Sequence, residues 1–256
     1  MHLGRIEIFP IKSLGGMAVE EARITPGGIL ENDRVYAIVD GDGKIINGKR
    51  TARVHQLRCA FDPAVKEVRL WEGDGPAAQF CLDDSERVAK WLGDFFGHAA
   101  SLRREMEKGF PDDQVASGPT ITSEASLLAV QQWHPGLDIE SVRRRFRSNL
   151  ELAGGAAFCE DQLFGPADAL KPFQIGSVNF LGHNPCQRCA VPARDPESGE
   201  AIKDFQKQFM QLRREHLPEW ADATRFNHFY RFAVNTSIPP SEAGKCLRTG
   251  DVIRIG

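Results

Sequence analysis

The chain has 256 residues, 41% hydrophobic and 26% charged, with 32 basic against 35 acidic residues and a net charge of −3. That is the composition of a globular protein of one large or two modest domains. It offers no global field for nucleic acid or an anionic membrane, so neither is expected as a partner and any anion must be caught by a local cluster.

The first part reads as strands. Residues 3–9, 17–24, 34–39, 54–61 and 65–71 are short, β-branched or alternating segments. Gly15-Gly16, Pro26-Gly27-Gly28 and Gly41-Asp42-Gly43 supply turns between them, since glycine takes positive φ without steric cost. Residues 83–96 predict a helix: Val88, Trp91, Leu92 and Phe95 recur at helical steps, Asp83 or Asp84 caps the start, and Gly97 stops it. The polar stretch 97–118 reads as a loop or junction. Helices follow over 123–133, opened by Ser123, and over 139–146. Residues 149–153, 174–181, 229–236 and 251–255 read as strands, and 201–216 as an amphipathic helix. The expected class is mainly β with α (α+β), built of barrels or mixed sheets rather than a doubly wound fold.

No apolar run approaches the roughly 20 residues of a membrane span, so no membrane partner is expected. The N-terminus Met1-His2-Leu3-Gly4-Arg5-Ile6-Glu7-Ile8 lacks the pattern of a signal peptide. The expected location is cytoplasmic, where thiols stay reduced and six cysteines are not a disulfide framework. Cys59, Cys81, Cys159 and Cys246 are isolated and read as small hydrophobes.

Cys186 and Cys189 stand together in Asn184-Pro185-Cys186-Gln187-Arg188-Cys189-Ala190-Val191-Pro192-Ala193-Arg194-Asp195-Pro196. A zinc site needs four ligands, and neither a second such pair nor closely spaced histidines exist. A thioredoxin-like dithiol belongs at a helix start, which the following prolines disfavour. A single thiolate ligand to a cofactor-borne metal remains, with Arg188 beside it favouring the thiolate. The bland alternative is two cysteines at a strand end with no chemistry. In Phe146-Arg147-Ser148-Asn149-Leu150, Arg147 and Asn149 share a strand face and can jointly grip an anion. Arg143-Arg144-Arg145 just before reads as a solvated basic run. Lys12 and Ser13, in Pro10-Ile11-Lys12-Ser13-Leu14-Gly15-Gly16, occupy a turn suited to phosphate contact without P-loop spacing. Arg34 is suited likewise, although each of these alone is an ordinary surface charge.

The ordered set Phe-Pro-Ile-Lys-Ser, Asp-Arg-Val-Tyr, Thr-Ser-Glu-Ala-Ser-Leu, Phe-Arg-Ser-Asn-Leu and Cys-Gln-Arg-Cys…Asp-Pro-Glu-Ser-Gly covers essentially the whole chain. It resembles the MOSC (molybdenum cofactor sulfurase C-terminal) superfamily with its N-terminal β-barrel partner. Within that superfamily it looks most like the mitochondrial amidoxime-reducing component and its bacterial relatives. The resemblance implies an N-terminal MOSC β-barrel domain over 1–97, a junction over 98–118, and a MOSC β-barrel domain with flanking helices over 119–256. It implies an enzyme that uses a molybdenum–pterin cofactor (molybdopterin) to reduce N-hydroxylated small molecules. Cys189 matches the thiolate that ligates molybdenum, and Asp195 an acid near the metal. Lys12, Ser13, Arg34, Ser123, Arg147 and Asn149 match positions that hold the pterin and its phosphate. Ser148 departs mildly from the family's usual residue before the asparagine.

The C-x4-C-x2-C spacing of a plant-type ferredoxin is absent. No intrinsic iron–sulfur cluster or flavin is expected, and electrons are expected from a separate ferredoxin, flavin reductase or cytochrome type of protein. A sulfur carrier or a cofactor-binding and transfer protein, using a Cys189 persulfide, is the alternative.

Overall fold

The computed structural model describes residues 1–167 and 169–256. In chain order the elements are β1 (His2–Ile8), β2 (Met17–Val19), β3 (Glu21–Arg23), β4 (Tyr36–Asp40), β5 (Leu57–Phe61), β6 (Glu67–Glu72), β7 (Ala78–Cys81), α1 (Ser85–Phe96) and β8 (Ala100–Arg104). Then come β9 (Ile121–Ser123), α2 (Glu124–Trp133), α3 (Ile139–Phe146), β10 (Leu150–Ala153), β11 (Lys171–Ile175), β12 (Val178–Gln187), α4 (Phe205–Glu215), β13 (Arg231–Ser237), β14 (Cys246–Arg248) and β15 (Ile253–Ile255). The molecule is mixed α and β, with more strand than helix, as its sequence pattern predicts.

One eight-stranded sheet runs in the order β15-β11-β12-β13-β9-β10-β1-β2. Its pairs are antiparallel except β9–β10. β1 joins this sheet by lying against β10, Ile6 opposite Leu150, so strands from both sides of residues 98–118 share it. β3 with β14, β4 with β8, and β5-β6-β7 form smaller sheets. A large core of aliphatic side chains, Leu3, Ile6, Ile11, Val68, Leu92 and Val178 among them, runs through both halves. A second, aromatic core joins α2, α3 and α4: Trp133, Phe146, Phe205, Phe209 and Phe232. Trp133 and Phe146 both meet the Phe209 ring, at 5.5 and 5.6 Å between centroids.

Several expected boundaries move, for physical reasons. The strand over 17–24 divides at Glu20 because its two parts pair with different partners, β1 and β14. Arg34 takes left-handed φ (+52°), so β4 begins at Tyr36. Residues 54–56 belong to a 3₁₀ turn before β5. The junction contains β8, whose five residues pair with β4. The strand over 174–181 is a hairpin: the chain turns at Gly176 (φ +57°), and β12 then runs on through Cys186. α1 starts at Ser85 with Asp84 as cap, its Oδ1 accepting from Arg87 N, and Gly97 closes it in left-handed conformation.

Candidate functional site

A cavity of about 880 Å³ opens between the β1–β2 loop, the segments before β4 and β5, the loop after β8, the end of α3 and the end of β12. Twelve lysines and arginines line it against five acidic residues. Lys12, Ser13, Arg34, Arg147, Asn149 and Cys189 all lie on its wall. Ser123 and Asp195 do not.

The first five of these are built into one another. Ser13, Arg34 and Arg147 all take left-handed φ, +76°, +52° and +54°. A side chain held there costs on the order of 1–3 kcal/mol, and such strain concentrates at binding sites. Asn149 is buried, and its Oδ1 accepts from Arg34 Nη1 at 3.0 Å and Thr120 N at 3.3 Å, while Nδ2 donates to Glu7 O at 3.1 Å. Its amide is therefore spent on holding Arg34. Arg34 also pairs with Asp33 and reaches Arg147 O. Arg147 closes α3 as its C-cap, donates to Leu14 O, and lays its guanidinium over the Phe9 ring at 4.2 Å. Burial, then the charge of Arg34, pulls its pKa down to about 10, so it stays cationic at neutral pH. Lys12 donates to Phe110 O and Asp112 Oδ1, both at 2.7 Å. Burial lowers its pKa against the opposing pull of Asp112.

Both cysteines of the pair face the cavity. Cys186 sits near the end of β12 and Cys189 just beyond it. Arg188, expected to serve Cys189, instead points Nη1 at Cys186 Sγ, 3.3 Å away, while Nη2 is pinned to Phe146 O. Residues 188–189 follow the strand, so the arginine folds back along it. Cys59, read as inert, also lines the cavity beside Gly15. Burial pushes its thiol up to about 12, so it remains protonated. Gly48 lets the turn before β5 approach the segment after Cys189. A Cβ there would lie 2.6 Å from His55 Nε2 and 3.2 Å from Val191 Cγ2.

Ser123 is buried, and its Oγ caps α2 by accepting from Ser126 N at 3.1 Å. Beside it Ser126 Oγ donates to Glu160 Oε2 at 2.8 Å. Asp195 closes a turn: Oδ1 accepts from Glu197 N and Ser198 N, both at 2.9 Å, and Oδ2 from Arg145 Nη2 at 3.3 Å. Burial alone would raise its pKa. The two amides and Arg145 outweigh that and hold it below the usual carboxylate range. Of the basic run 143–145 only Arg144 is a solvated charge. Arg143 grips Glu151 through Nε at 2.8 Å and Nη2 at 2.6 Å, and Arg145 is buried.

Sequence reasoning missed Arg194, which stands beside Asp195, and Arg225 and Arg231, which line the cavity from distant segments and carry no motif. Together with Arg147 and Arg188 they make five cavity-lining arginines without a carboxylate partner within 4.0 Å among the described residues. The Nε atoms of Arg188, Arg194 and Arg231 are buried with no hydrogen-bond partner. These arginines are half-buried and their hydrogen bonds go mainly to backbone carbonyls, so the cavity carries an excess of positive charge that suits an anionic ligand. The described residues contain no group of three or more His, Cys, Asp or Glu side chains fit to hold a metal ion. A metal here would have to arrive with most of its ligands, and Cys186 or Cys189 offers one soft sulfur. No helix among the described residues is long and apolar enough to cross a membrane.

Two family models match the chain: the MOSC N-terminal beta barrel domain over residues 1–82 and the MOSC domain over residues 119–254. The molybdenum cofactor sulfurase of Caenorhabditis briggsae is 25% identical over 228 residues, covering 77% of this chain and 30% of its own. Those of Drosophila ananassae and Drosophila melanogaster are 27% and 26% identical over 230 and 232 residues, each covering 77% of this chain and 28% of their own. The match thus spans less than a third of the length of these relatives.

Proposed function

For a chain that belongs to the MOSC domain family, we propose that the cavity holds a molybdenum–pterin cofactor and that the protein reduces N-hydroxylated small molecules. The observation that carries the reading is the set of five arginines without a carboxylate partner among the described residues, around a wall that also presents Cys189. A pterin phosphate and an anionic dithiolene meet the charge this cavity lacks, and a thiolate suits a metal already held by sulfur.

The cofactor, when bound, supplies the two-electron chemistry. The protein's part is to bind and orient. Lys12, Arg34 and Arg147 converge on the anionic end, with Ser13 in the same turn and Asn149 keeping Arg34 aimed. Cys189 provides the single protein sulfur to the metal. The reaction R–NHOH + 2H⁺ + 2e⁻ → R–NH2 + H2O needs two protons and two electrons. The electrons come from a separate donor protein. The two turn amides and Arg145 favour the ionised form of Asp195, which supports a role as an anchor of the segment over one as a proton source. Protein loaded with cofactor and given reduced methyl viologen should convert an aryl hydroxylamine or amidoxime to amine or amidine, and Cys189→Ala should lose this activity at least about 100-fold. Undiminished turnover in that variant at full metal loading would sink the assignment.

A second reading is favoured by the similarity to molybdenum cofactor sulfurases and by Cys186, which lines the same cavity under Arg188. In it Cys189 carries a persulfide for transfer to a molybdenum cofactor. Protein isolated with labile sulfane sulfur and no molybdenum supports this second reading; stoichiometric molybdenum and pterin support the first.

A further inference from the structure

Cys189 lies on a segment with no regular secondary structure beyond the short 3₁₀ turn Val191–Ala193. A metal-ligating sulfur must nevertheless sit within a fraction of an ångström of its place relative to the groups that hold the rest of the cofactor. Backbone bonds tie its far end to the next turn, Asp195 N to Glu200 O and Ile202 N to Ala193 O, and one buried side chain ties it to α3. Arg145 of α3 donates through Nη1 to the carbonyls of Pro192 (3.2 Å) and Arg194, and through Nη2 to Asp195 Oδ2 (3.3 Å). Its Nε donates to Ser141 Oγ one helical turn back, at 3.2 Å. The guanidinium is 2% exposed. Its two terminal nitrogens are committed to the residues that follow Cys189, and Nε to its own helix.

The same helix is capped two residues later by Arg147, a half-buried cation of the cavity wall. α3 therefore carries, side by side, the anion grip and the clasp on the sulfur-bearing segment. Arg144 and Arg58 extend the clasp outward, each pairing with Glu197, at 2.8 and 3.2 Å. These outer pairs are exposed, and such contacts are weak. Arg145 is the buried member.

We propose that Arg145 is a positioning residue that sets the Cys189 sulfur in register with the anion-binding arginines. Asp195 is its anchor. This rests on the reading above only in taking Cys189 as the reacting sulfur; the placement of the segment is independent of what is reduced.

The test uses the full chain prepared without cofactor. Folded protein is pulsed with iodoacetamide, quenched and digested with trypsin. Cleavage after Arg188 separates Cys186 from Cys189, so Cys186 serves as an internal reference. In Arg145→Gln the Cys189/Cys186 labelling ratio should rise at least about fivefold, because the segment swings free while β12 holds Cys186. Arg145→Lys, able to reach a carbonyl but not all three acceptors, should rise less. Asp195→Asn, which keeps the carbonyl bonds, covers the case in which Arg145→Gln does not fold, and should rise about twofold or more. In cofactor-loaded enzyme the same variants should lower kcat more than they raise KM, with Arg145→Lys partly restored. An unchanged ratio in the folded variants, or a parallel rise of both thiols, overturns the proposal. Should Cys189 prove not to bind metal, molybdenum analysis will show it, while the labelling ratio still reports on the clasp.

Discussion

At the scale of single residues, Arg147 carries the sharpest conflict between stability and use. It is half-buried, lacks a carboxylate within 4.0 Å among the described residues, and occupies left-handed backbone. Replacing even a paired buried charge and its partner by apolar side chains is often neutral or stabilising by about 1–4 kcal/mol, because desolvation is relieved. For a half-buried charge the low end applies, so Arg147→Met should raise the melting temperature of cofactor-free protein by about 2–4 °C, the shift for roughly 1 kcal/mol in a chain of this size. It should also cost at least about tenfold in affinity for inorganic pyrophosphate, read by calorimetry. A variant that melts lower and binds as well would mean that Arg147 is a structural peg. Arg147 and Cys189 are legible in the sequence because each sits in a short motif. The direction of Arg188 is not, since adjacency to Cys189 says nothing about a side chain that folds back along β12 to Cys186.

At the scale of elements, Ser123 and the loop after β8 make opposite cases. Ser123 heads a stretch that reads as a helix start, and that is its structural place. Ser123→Ala should lower stability by about 1–2 kcal/mol, the cost of a lost cap and a buried hydroxyl. It should leave pyrophosphate affinity unchanged; a loss of affinity without a loss of stability would restore Ser123 to the cavity. The loop after β8 places Asp112 on Lys12, so an incoming anion competes with an internal one. Asp112→Asn should raise pyrophosphate affinity about three- to tenfold, within the range of a single charged contact, whereas unchanged binding would show that the contact is incidental. Neither the loop's return to Lys12 nor β8 inside it could be read locally. Both depend on pairing partners far along the chain, Val39 with Ser101 for example. Helices α2 and α3 could be read, because their caps and apolar spacing lie within a dozen residues.

At the scale of the whole molecule, the aromatic core and the sheet enclose Glu160 beneath α2. Burial first, then the neighbouring Asp161, raises its pKa. The folded state then holds the proton more tightly than the unfolded chain. Stability from this group is complete below the ordinary glutamate range and is lost as pH rises through the raised value. Glu160→Gln should flatten the fall in melting temperature between about pH 5 and 8; parallel wild-type and variant curves would contradict it. The fold class follows from alternating short segments and turn residues. The eight-stranded sheet that unites β1 with β10 does not, because strand order is a long-range property. The cavity shares that character: Arg147, Arg188, Arg194, Arg225 and Arg231 meet only once α3, β12 and β13 are in place.

The most direct test of the account is molybdenum X-ray absorption on protein from a cofactor-competent host, comparing the wild type with Cys189→Ala. The account predicts stoichiometric molybdenum in the wild type and one sulfur neighbour fewer in the variant. Molybdenum absent from the wild type, or an identical sulfur shell in both proteins, would contradict it.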